Sequence, residues 1–116
     1  MRIKSIGLYL AFVVIAFTSC GEYNKLLKSN DPDEKYDYAK VYYEQGKYSR
    51  AATLLSDVVP IFRGTEQAED ATWLLAMSYF KQKDYLSAGE YFVRYVNNFP
   101  RGKHAMEARF NVAYGD

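Results

Sequence analysis

The chain has 116 residues, and its 15 Lys and Arg against 14 Asp and Glu leave a formal net charge of +1. That length holds one domain, and that balance gives no electrostatic case for nucleic acid as a partner. One cysteine, Cys20, rules out an intramolecular disulfide and a thiolate zinc cluster, and one histidine, His104, leaves no basis for Cys/His or Ser/His/Asp nucleophiles or for a His-rich metal site, so no enzymatic role is expected.

Arg2 and Lys4 precede an uncharged apolar run from Ile6 to Phe17. Its 12 residues are too few to cross a bilayer as a helix, which takes about 20, so residues 1–19 read as a removable export signal. Cys20 follows at once, in Phe17-Thr18-Ser19-Cys20-Gly21. A lone Cys directly after such a run resembles the lipobox of bacterial lipoproteins, with Phe17 standing where Leu is commonest. The resemblance implies lipidation of Cys20: cleavage makes it the first residue and acyl chains on it anchor the protein without spanning the membrane. A plain secretory signal with an incidental Cys is the alternative. Residues 20–30, polar apart from Leu26 and Leu27, read as the lipidated tether.

Asp31-Pro32-Asp33-Glu34 starts a helix, with Asp31 as N-cap, Pro32 at the first helical position and acidic charge in the first turn. Tyr38, Ala39 and Tyr42 form its packing face, and Gly46 stops it. Tyr48, Ala51, Ala52, Leu55, Val58 and Val59 recur at spacings of three and four in a second helix that Pro60 and Gly64 help to end. Thr65 is placed to cap a third helix, through Trp73, Leu75, Ala76 and Tyr79 to about Lys83. Asp84 caps a fourth, carrying Tyr85, Ala88, Phe92, Val93 and Val96 up to Pro100. No stretch alternates with period two, so the chain reads as all-α.

Sliding the sequence by 37 residues aligns it with itself: Ala39 meets Ala76, Tyr42 Tyr79, Tyr48 Tyr85, Ala51 Ala88, Leu55 Phe92 and Phe62 Phe99. A third copy begins, with Ala71 on Ala108 and Trp73 on Phe110, and the chain stops inside it. The repeats cover about 31–64, 65–101 and 102–116, the last incomplete. The positions Ala39, Tyr42, Gly46, Tyr48, Ala51 and Leu55, and then Ala76, Tyr79, Tyr85, Ala88, Phe92 and Pro100, resemble the tetratricopeptide repeat, with Lys83 where the second copy's turn glycine belongs. The resemblance implies antiparallel helix pairs stacked as a short solenoid.

A narrower resemblance spans nearly the whole chain. The lipobox, Tyr23, Leu26-Leu27-Lys28-Ser29, Lys35-Tyr36, Gly46-Lys47-Tyr48, Pro60-x-Phe62-Arg63-Gly64-Thr65, and Tyr91-Phe92 before Asn98-Phe99-Pro100 together resemble the BamD family in its Bacteroidetes-like form. Members are lipoproteins of the outer-membrane β-barrel assembly machine. The resemblance implies a scaffold lipid-anchored at the periplasmic face of the outer membrane. Its partners would be the β-barrel insertase, other assembly-machine subunits and unfolded outer-membrane proteins, with no cofactor besides the acyl chains on Cys20. Family members carry further repeats that help bind the insertase, whereas this sequence stops within the third, which suggests a truncated product. Another repeat lipoprotein, serving nutrient uptake or as a cell-envelope scaffold, and an enzyme whose catalytic residues lie past Asp116 are the competing readings.

In such a stack the first helix of each pair lines the concave side. The open face of the first would hold Tyr36, Lys40 and Tyr43, and that of the second Trp73, Met77 and Phe80, a soft apolar strip suited to a peptide. The alternative is that these six residues are covered as core. Tyr48, Tyr79, Tyr85, Phe92 and Tyr95 are expected in the core, Glu66, Glu69 and Asp70 as helix-start charges, and His104 as exposed.

Overall fold

Asp31 does what its position demands: its side chain accepts hydrogen bonds from the backbone N–H groups of Asp33 and Glu34 and opens a helix with Pro32 in its first turn. The computed structural model describes residues 21–115, so the export signal at 1–19 and Cys20 lie outside the described residues. The chain divides into two units, Met1–Asn30 and Asp31–Asp116. In the first, the segment read as a tether is helical over 21–28 (α1). Glu22, Lys25, Leu26, Leu27 and Lys28 are straight-chain or γ-branched residues that lose little rotamer freedom in a helix.

The second unit holds α2 (Pro32–Glu44), α3 (Tyr48–Val58), α4 (Gln67–Lys81), α5 (Tyr85–Asn98) and α6 (Ala105–Gly115). No strand occurs among the described residues. Each helix packs on the next in the chain, and α2 also meets α4. The unit is thus two tetratricopeptide-like helix pairs, α2/α3 and α4/α5, followed by α6. Alanines make the approach close: Ala39, Ala51, Ala76, Ala88 and Ala108 are all buried, and rings or branched chains fill the remaining space. Leu54, Leu55, Val58, Leu75, Phe92 and Tyr95 are the large members of this core.

The turns follow the sequence closely. Gly46, between α2 and α3, has φ +77, and Gly64 after α3 has φ +84, both in the left-handed region that glycine enters without penalty. One repeat later Lys83 occupies the site of Gly46 and holds the same conformation, with φ +64. A residue with a Cβ is disfavoured there by roughly 1–2 kcal/mol. Lys83→Gly is therefore expected to raise stability by about 0.5–1 kcal/mol, net of the unfolded chain's added freedom, measured as a higher urea midpoint with an unchanged slope.

Several expectations are corrected. Thr65 does not cap α4; its hydroxyl donates to the Phe62 carbonyl at 2.6 Å, tightening the preceding turn, and Glu66 stands at the helix boundary without a side-chain cap bond. Tyr38 is only half-buried, whereas Tyr36, assigned to the open face, is 8% exposed, because Phe62 folds back from the inter-repeat turn and meets its ring edge-on at 5.4 Å. Tyr85 is 47% exposed: it stands at the first position of α5, where one side of the ring meets Phe80 of the preceding helix edge-on at 5.5 Å. Tyr48 and Tyr79 are half-buried, the latter stacked on Tyr91 with its hydroxyl 3.3 Å from that of Ser56.

Candidate functional site

Between the first helices of the two pairs lies a pocket of 340 Å³, near the lower end of ligand-pocket volumes, about 300–1,000 Å³. It is lined by Tyr36, Lys40, Tyr43 and Glu44 of α2, Asp70, Trp73 and Leu74 of α4, and Lys103 of the turn before α6. Helical spacing accounts for the two strips: 36, 40, 43 and 44 recur within one stripe of α2, as do 70, 73 and 74 on α4. The small buried residues beside them, Ala39 and Ala71, bring the backbones of the stack close enough for the strips to face one pocket.

Four of the six residues assigned to the groove, Tyr36, Lys40, Tyr43 and Trp73, thus come together. Met77 and Phe80 do not line this pocket and are packed against the cluster built from Ala76, Ala88, Phe92, Tyr95, Ala105 and Ala108. α2 and α4 meet only sparsely, while α4 lies along α5 for most of its length. The C-terminal half of the α4 stripe is therefore drawn to α5, with Phe80 edge-on to Phe92 at 6.2 Å.

The pocket mixes rings with both signs of charge. The Lys40 ammonium lies 4.5 Å from the centre of the Tyr36 ring and 3.3 Å from Asp37. Lys103 forms an ion pair with Asp70 at 3.0 Å, and this hydrogen bond raises the Lys103 pKa above its ordinary 10.5, keeping the group cationic. Burial, followed by the nearby charges of Asp70 and Asp37, pushes Tyr36 above 10.0. Burial, then Tyr48, Glu44 and Glu107, does the same to Tyr43. Both phenols stay neutral and can donate or accept hydrogen bonds. Tyr43 is braced by Tyr48, edge-on at 5.2 Å. Such a lining suits a short stretch of polypeptide, with apolar walls for a side chain and polar groups at the rim for backbone or charge.

Trp73 is both wall and core. It lines the pocket, yet its indole is tilted against Phe92 and Tyr95, each at 5.5 Å, and stacked on the His104 imidazole at 4.2 Å with 3° between the planes. His104 is accordingly not exposed as expected; its side chain retains 28% exposure, with Nδ1 3.9 Å from Glu107. Asp70, read as a helix-start charge, is also a pocket residue. Extending each helical stripe by one turn would have found Asp70, three residues before Trp73, and Glu44, four after Lys40. Lys103 and His104 come from an irregular turn with no periodic signal.

Among the described residues no group of three or more His, Cys, Asp or Glu could hold a metal ion, and no helix is long and apolar enough to cross a membrane. The family model described as YfiO, outer membrane lipoprotein, matches residues 28–113. No curated protein matches the chain.

Proposed function

The chain belongs to the YfiO family of outer membrane lipoproteins, and from that premise we propose that it acts as a BamD-type scaffold of the outer-membrane β-barrel assembly machine. In this reading acyl chains on Cys20 hold it at the periplasmic face of the outer membrane, and the repeats bind segments of unfolded outer-membrane proteins and present them to the insertase and its companion subunits. The role is binding and positioning, without catalysis and without a cofactor. The observation that carries it is the pocket of Tyr36, Lys40, Tyr43 and Trp73, which draws its walls from two successive repeats of a family described as outer membrane lipoproteins. Anchoring rests on the single Cys placed directly after the apolar run; two or more acyl chains give stable membrane attachment.

The test uses Lys40→Glu and Tyr43→Ala, because Lys40 is exposed and Tyr43 is half-buried, so neither is a core residue. A 12-residue peptide copying the terminal strand of an outer-membrane barrel is titrated against parent and variants. Loss of an aromatic wall or reversal of a rim charge should weaken binding by about tenfold, the equivalent of about 1.4 kcal/mol, with helical circular dichroism unchanged. Equal affinities for parent and both variants would remove the pocket from the function.

A further inference from the structure

We propose that the turn from Phe99 to His104 is a clasp that completes the pocket, with His104 and Gly102 as positioning residues that hold the Trp73 indole as its wall. One face of the indole is covered by the imidazole, near-parallel at 4.2 Å. Without the imidazole that face would lie open to solvent, while Phe92 and Tyr95, tilted at 54° and 60°, would still hold the ring from its other sides.

The imidazole is placed by the backbone that carries it. The His104 N–H donates to the hydroxyl of Tyr95 at 3.1 Å, and Tyr95 is a fully buried residue of α5. The turn is tightened by Gly102 N–H donating to Phe99 O at 2.9 Å and Ala105 N–H to Gly102 O at 3.1 Å. Gly102 lies so close to the helices that a Cβ there would fall 2.5 Å from the Tyr95 hydroxyl, 2.6 Å from a Glu69 carboxylate oxygen and 3.1 Å from Phe99 Cβ. The glycine is therefore a requirement of close approach, not of φ. Lys103, between the two, crosses to Asp70, so the same turn delivers a ring to the indole and a cation to the rim.

The pocket consequently draws on three repeats: α2, α4, and the segment that leads into α6. Docking of α6 and integrity of the pocket share contacts, so by linkage a ligand that needs the Trp73 wall stabilises α6, and whatever steadies α6 tightens the pocket by the same factor.

Trp73 is the sole tryptophan, and its fluorescence reads the wall in the full chain without any ligand. His104→Ala is expected to raise acrylamide quenching of Trp73 about twofold and to shift its emission to the red, while His104→Phe, which restores a flat ring, returns both to parent values. Gly102→Ala keeps both ring residues but pushes the turn, and the imidazole with it, off Tyr95, so it should raise quenching likewise, with faster amide exchange in α6 and little change in α2 and α3. Parent-like quenching in Gly102→Ala, or a folded His104→Phe as accessible as His104→Ala, overturns the clasp, including when His104→Ala itself fails to fold. The last measurement rests on the peptide-binding reading: the same barrel-strand peptide should slow α6 exchange at least threefold. Binding without that protection overturns the coupling and leaves the proposed function intact. A peptide that does not bind at all counts against the function alone, with the clasp still decided by fluorescence.

Discussion

Trp73→Ala is expected to lower stability by about 3–5 kcal/mol and to abolish binding of a barrel-strand peptide in whatever fraction stays folded. The indole touches Phe92, Tyr95 and His104 and also lines the pocket, so removing it opens a cavity in the α4/α5/α6 cluster and deletes an aromatic anchor together. The two consequences separate experimentally. Urea unfolding followed by circular dichroism gives the stability loss, and titration at low temperature with the folded fraction known gives the affinity. Trp73→Phe should recover most of the stability, since a ring still fills the cluster, but less of the affinity, since the smaller ring leaves part of the wall open. A Trp73→Ala variant with parent stability would show that the indole is not core, and one with parent affinity would show that it is not wall.

Phe92→Ala is the second large effect, also about 3–5 kcal/mol. Phe92 is 1% exposed and lies against Trp73 and Phe80. Its counterpart one repeat earlier is Leu55, equally buried, for which truncation to Ala should cost about 2–5 kcal/mol. In a stack where helices meet mainly their chain neighbours, a lesion in α5 weakens the seating of both α4 and α6. Amide exchange in Phe92→Ala should accordingly quicken first in α5 and α6 and last in α2. Uniform acceleration along the whole unit would mean that the repeats unfold as one cooperative body.

Much of the fold was legible because its signals are local. Asp31 and Asp84 cap the helices they are expected to cap, Gly46 and Gly64 make the left-handed turns, and the alanine pairs Ala39/Ala76, Ala51/Ala88 and Ala71/Ala108 aligned by the 37-residue shift are all buried. The remainder depends on where neighbouring repeats direct a side chain, which no local signal carries. Tyr36 has the helical phase of an open face, yet Phe62 reaches back to cover it, and no pattern within α2 records that. Met77 and Phe80 share the phase of Trp73, but the close run of α4 along α5 claims them for the core. His104 showed only a lone histidine beside a helix start; its stack on Trp73 joins residues 31 positions apart through a turn without periodicity. Cys20 was conspicuous in the sequence because it is single and follows the apolar run at once.

The succession of contacts along the unit, α2 with α3, α3 with α4, α4 with α5 and α5 with α6, also governs how quickly the chain can find its structure. Each pairing closes a loop of only a few residues, so little chain entropy is lost before a contact is made, and chains rich in such short-range pairings fold in microseconds to milliseconds. The α2/α3 hairpin can form while residues beyond Val58 are still being synthesised, each later helix adding to a surface already laid down. The unit thus spends little time as an unfolded chain with its apolar faces open to aggregation.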